Sequence, residues 1–136
     1  MRASTREWLD RAADDLAAAE LLLTRQDLTN VVAFHAQQAV EKALKAVIEE
    51  VHSDVVRTHS LTRLYGLVKG HYHVIIENMD ILDRLEAVYI AARYPGDIGL
   101  LPYGKPTPED AMAFYRFAQQ VFQDILSRLE ILESPE

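Results

Sequence analysis

The chain has 136 residues, a length that one domain fills and that buries about two-thirds of its unfolded surface without a staple. It contains no cysteine, which removes disulfides, thiolate zinc sites and cysteine nucleophiles together. A formal net charge of -7, from 21 acidic against 14 basic side chains, works against a free-standing nucleic-acid binder, so any such binding has to come from a local basic patch.

The periodicity predicts a first helix over residues 5–24. Trp8, Leu9, Ala12, Leu16, Ala19 and Leu23 recur at three- and four-residue steps, while Asp10, Arg11, Asp14, Asp15 and Glu20 fall on the other face. The polar stretch 25–30 breaks the pattern and offers Asp27, Thr29 and Asn30 as caps. A second helix is expected over about 28–51, with an apolar stripe of Val32, Ala36, Ala39, Val40, Ala43, Val47 and Ile48. A short helix over 60–69 follows, capped by Ser60 and closed by Gly70.

Residues 71–77 read as a loop or an extra helical turn, because Tyr72, Val74, Ile75 and Ile76 have no visible partner strand. Asn78 caps a fourth helix through about Tyr94, with Leu82, Leu85, Val88, Tyr89 and Ala92 inward, and Pro95 and Gly96 stop it. Thr107, Pro108, Glu109 and Asp110 open the last helix with a cap, a first-position proline and acids in the first turn. That helix carries Phe114, Val121, Phe122, Ile125 and Leu129 and ends near Glu133. The expected architecture is all-α: a single domain over 1–136, an antiparallel up-and-down bundle of four main helices plus one short helix. No apolar run approaches a membrane span, so no anchor or signal peptide is expected and the cytoplasm is the expected compartment.

Three segments in order carry a family resemblance. The first is Ala36 to Ala46, AQQAVEKALKA; the second is Thr58-His59-Ser60-Leu61; the third is Tyr89 to Pro95, YIAARYP, followed by Thr107 to Ala111. With Trp8 and Asp14-Asp15-Leu16, they make nearly the whole chain similar to the HEPN family. The resemblance implies a helical bundle that pairs as a homodimer. It also implies a minimal nucleotidyltransferase as partner in a toxin–antitoxin-like pair, and a nucleotide or RNA as ligand.

The residues have a reading of their own. Gln38, Glu41, Lys42 and Lys45 stand three or four apart on the second helix, Glu41 precedes Lys45 in the favourable orientation, and Gln37 reaches Glu41. The bland alternative is a solvated face with charge pairs worth a few tenths of a kcal/mol. His59 and Arg93 gain meaning only together. If the second, third and fourth helices meet, Lys42, Lys45, His59 and Arg93 make a basic pocket suited to phosphate, with Gln38 and Tyr94 beside it.

Ribonucleases of this family carry an arginine followed, after four to six residues, by a histidine. No arginine of this chain has that spacing; Arg63 and His71 come nearest, with seven residues between them. No catalytic residue, metal ligand or cofactor is therefore assigned, and the expected role is a noncatalytic binding module. The alternative is an RNA-cleaving enzyme with an atypical site around His59 and Arg93. His71 and His73 have strand spacing and no acid cluster beside them, and adjacent Asp14 and Asp15 point to different parts of a helix. In the last helix Tyr115 and Phe117 widen the apolar stripe beyond one face, as in a central helix or a dimer interface.

Overall fold

Alanine decides where the second helix sits. Ala33, Ala36, Ala39, Ala43 and Ala46 are all fully buried, and side chains this small let neighbouring backbones approach from several directions while favouring helix. The structure, a computed structural model, describes residues 1–51, 56–93 and 105–133, with side chains described through 88 in the fourth helix and 131 in the last. Its helices are α1 (Ala3–Leu22), α2 (Thr29–Val51), α3 (Leu61–Val68), α4 (Met79–Arg93) and α5 (Pro108–Glu133), with a 3-10 turn over Gln26–Leu28. Helix α2 packs against all four others. It is the axle of an all-α bundle, and the described residues contain no strand.

Directions follow from a few polar contacts. Glu50, at the end of α2, accepts from the Arg2 backbone N–H at 2.9 Å and the Thr5 hydroxyl at 2.8 Å, so α1 and α2 are antiparallel. Thr29, at the start of α2, donates to the carbonyl of Pro106 at 2.6 Å. Helices α2 and α5 therefore begin side by side and run the same way, as diagonal members of an up-and-down order should. Here the diagonal pair is in direct contact, because the alanines of α2 leave no space between them.

The predicted caps form. Ser60 accepts from the Arg63 N–H at 3.2 Å and Asn78 from that of Ile81 at 3.2 Å. Gly70 takes φ +92° past the end of α3, the left-handed geometry that suits glycine. Residues 71–77 are irregular. Tyr72 and His73 both have positive φ, 54° and 59°, and the segment then buries Val74 and Ile76 while Ile75 points outward. The hydroxyl of Tyr65 accepts from the Ile76 N–H at 2.9 Å, so this loop is tied to α3.

One reading of the apolar faces changes, and the wide stripe of α5 takes the first of its two alternatives, burial within the bundle. Asp15 is buried with Leu9, Ala12, Leu16 and Ala19, not on the outer face of α1. The width of the α5 stripe is used within one chain. Tyr115 is buried and its hydroxyl donates to Glu20 of α1 at 2.9 Å; Phe117 is buried beside residues 74–78.

At the start of α5, Thr107 and Asp110 cap each other: the Asp110 N–H donates to the Thr107 hydroxyl at 3.0 Å, and the Thr107 N–H to the Asp110 carboxylate at 3.1 Å. That backbone bond, aided by Arg84 at 2.7 Å, outweighs partial burial and holds the Asp110 carboxyl below its usual range. A carboxyl depressed by folding adds stability above its unfolded value, near 3.9, and loses it as pH falls through the folded value. Urea denaturation across the acid range should therefore show wild type losing stability more steeply than Asp110→Asn. The two curves should converge in acid, and parallel curves would refute the account.

Candidate functional site

The polar residues of α2 fall into two adjoining rows. Gln37, Glu41 and Lys45 form one, at steps of four. Glu41 is 3% exposed, Gln37 0% and Lys45 8%, so this is no solvated face. One carboxylate oxygen of Glu41 accepts from Gln37 Nε2 at 3.1 Å. The other takes Lys45 Nζ at 3.0 Å and His59 Nδ1 at 3.1 Å. A buried carboxylate is tolerable only when paired and hydrogen-bonded, and Glu41 is both.

His59 reaches Glu41 because the entrance to α3 is pinned. Ser60 caps α3 and donates its hydroxyl to Glu86 on α4, and the Ser60 N–H donates to the Thr58 hydroxyl at 3.2 Å. The imidazole is about half exposed, with 49% of its side chain accessible. Lys45 also lies over the ring of Trp8, its Nζ 5.4 Å from the centroid. That distance is inside the range of a cation–π contact.

The second row is His35, Gln38 and Lys42, and it faces α1. Lys42 Nζ donates to Asp15 at 2.6 Å, and His35 Nδ1 meets the other oxygen of Asp15 at 2.9 Å. Gln38 joins the rows by donating from Nε2 to the side-chain Oε1 of Gln37 at 2.6 Å. The arrangement repeats: each buried carboxylate takes one lysine ammonium and the Nδ1 of one histidine. When an imidazole carries protons on both nitrogens, Nδ1–H goes to the carboxylate and Nε2–H is directed elsewhere.

The expected pocket is thus rearranged. Lys45 and His59 come together on Glu41, with Gln38 one bond away through Gln37. Lys42 does not join them, because its ammonium is held by Asp15. Among the described residues each lysine is matched by its own carboxylate. Arg93 is the last residue of α4; its side chain, and all of Tyr94, lie outside the described residues. Among the described residues no group of three or more His, Asp or Glu is placed to hold a metal ion.

Sequence reasoning gave Glu41 a place in a surface ion pair and overlooked Asp15 and His35. The signals were present. Asp15 follows Ala12 by three and precedes Ala19 by four, which is the phase of the buried stripe. His35 precedes Gln38 by three and Lys42 by seven. A polar residue in phase with a core stripe carries an obligation to find a partner, and Asp15 finds two.

The HEPN domain family model matches residues 5–129. No curated protein matches the chain. Among solved structures, TT1696 from Thermus thermophilus superposes with a TM-score of 0.70 at 22% identity, covering 93% of this chain and 99% of that one. ST0689, described as an archaeal HEPN homologue, superposes with a TM-score of 0.65 at 23% identity, covering 94% and 98%. At these identities the likeness to the two structures is one of fold. The family match extends over nearly the whole chain, and the chain belongs to the HEPN domain family.

Proposed function

We propose that this HEPN domain is a noncatalytic binding module that holds the anionic part of a nucleotide beside Lys45 and His59. In this reading it works as a homodimer in the cytoplasm and is the partner subunit of a minimal nucleotidyltransferase. The observation that carries the proposal is the buried Glu41 carboxylate, which fixes a half-exposed imidazole and a lysine ammonium on one oxygen. Holding both groups in place before a ligand arrives reduces the ordering cost of binding. Gln38 supports this network through Gln37, and Lys42, Arg93 and Tyr94 complete the proposed ligand-binding set. The sequence has no arginine and histidine at the ribonuclease spacing, which favours binding over cleavage.

The test is calorimetric titration of the purified protein with ATP. Saturable binding that weakens at least tenfold in His59→Ala is expected, and no binding at millimolar ATP would remove the nucleotide from the proposal. A second reading, an RNA-cleaving enzyme built around His59 and Arg93, draws on the same carboxylate-held imidazole, since a carboxylate on Nδ1 is how a histidine is oriented for proton transfer. Cleavage of single-stranded or structured RNA, lost in both His59→Ala and Arg93→Ala, would establish that reading instead.

A further inference from the structure

Trp8 is the sole tryptophan of the chain, and the core does not enclose it: the ring is partly buried against the bundle. Lys45 covers it from the α2 side. On α1 the ring borders a recess of about 220 Å³ shared with Ser4, Glu7 and Arg11. Ser4 is fixed by donating its hydroxyl to Glu49 of α2 at 2.8 Å. Glu7 and Arg11 pair with each other at 2.9 Å, with more than 60% of each side chain exposed. An ion pair so exposed contributes little, so it yields readily to a ligand.

The recess is smaller than the roughly 300–1,000 Å³ that takes a whole drug-sized molecule. Its size suits one planar ring system. Its neighbour is the site already described, because Lys45 sits between Trp8 and Glu41, and Glu41 holds His59. Trp8 is the residue through which the recess and that site adjoin.

We infer that the Trp8 recess is a nucleobase subsite, in which the base stacks on the indole while the phosphates lie towards Lys45 and His59. The inference rests on the nucleotide reading above. A stacked aromatic–base contact is tolerant of sequence because every base has a π face, so Trp8 would set affinity for a base as such. Glu7 and Arg11 supply an acceptor and donors at the rim for the edge of the base.

The test uses the intrinsic fluorescence of Trp8, excited on the red edge of its absorption, where adenine does not absorb. Calorimetry is run on the same samples. ATP should quench the fluorescence saturably in step with the heat, whereas inorganic triphosphate should bind without that quenching. Trp8→Ala should weaken ATP binding roughly tenfold or more beyond any change it causes in triphosphate binding. Trp8→Phe, which keeps an aromatic face and guards against a folding defect, should retain most of the ATP affinity. If ATP binds by calorimetry with unaltered Trp8 emission, or binds Trp8→Ala as it does wild type, the base subsite is overturned while the nucleotide reading stands. If ATP gives neither heat nor quenching, both fall.

Discussion

Replacing Glu41 with alanine should lower the unfolding free energy by about 3–5 kcal/mol, the cost of removing one partner from a buried ion pair. The carboxylate is 3% exposed and serves Gln37, Lys45 and His59 at once. Without it, the Lys45 ammonium keeps the Trp8 ring as its partner among the described residues, and Gln37 loses an acceptor. Both side chains are largely withdrawn from water. The magnitude separates this cluster from the exposed pairs of the same molecule. Arg11 and Glu7 are also four residues apart at 2.9 Å, yet their loss should cost less than about 1 kcal/mol because water replaces each partner. Urea denaturation measures the difference. The double variant Glu41→Met with Lys45→Met should regain most of the loss, since a well-packed apolar pair often matches a buried ionic one. A loss below about 1 kcal/mol for Glu41→Ala would show that solvent reaches the carboxylate.

Phe114→Ala should be as damaging, at about 3–5 kcal/mol, through loss of transfer energy and the cavity left behind. Phe114 is 2% exposed and stands in the second turn of α5. The Arg84 guanidinium of α4 lies 5.0 Å from its ring centroid, adding a cation–π contact. Arg84 also bonds Asp110, so the ring, the arginine and the cap of α5 fix α4 and α5 together at one end. Leu21→Ala is the matched control: this large apolar residue on α1 is 79% exposed, and its truncation should stay within about 0.5 kcal/mol. Thermal unfolding of the pair checks both, and equal shifts would contradict the packing described.

Much of the fold was legible because local signals and tertiary packing agree. The stripe of α2 from Val32 to Ile48 is buried as its periodicity required, and Ser60, Asn78 and Thr107 cap the helices they precede. Residues 71–77 were less legible. Their β-branched run has no strand among the described residues to pair with, and Tyr72 and His73 take left-handed conformations that composition does not announce. The candidate site was legible in its membership more than in its geometry. Spacing placed Gln38, Glu41, Lys42 and Lys45 on one helix, but a helix face a few residues wide meets two neighbours. Which neighbour claims which side chain depends on a carboxylate from α1 and a histidine before α3, and both lie far away in sequence. Asp15 takes Lys42 and Glu41 takes Lys45. Helical phase alone does not reveal that division.

The most direct test of the functional reading is a titration with ATP followed by nitrogen-detected NMR of the histidine side chains. The reading predicts saturable shifts at His59, largest at Nε2, with Nδ1 staying bonded to Glu41. It predicts little change at His35, whose Nδ1 is held by Asp15 in the other row. Shifts centred on His35, or a His59 ring indifferent to saturating ATP, would contradict it.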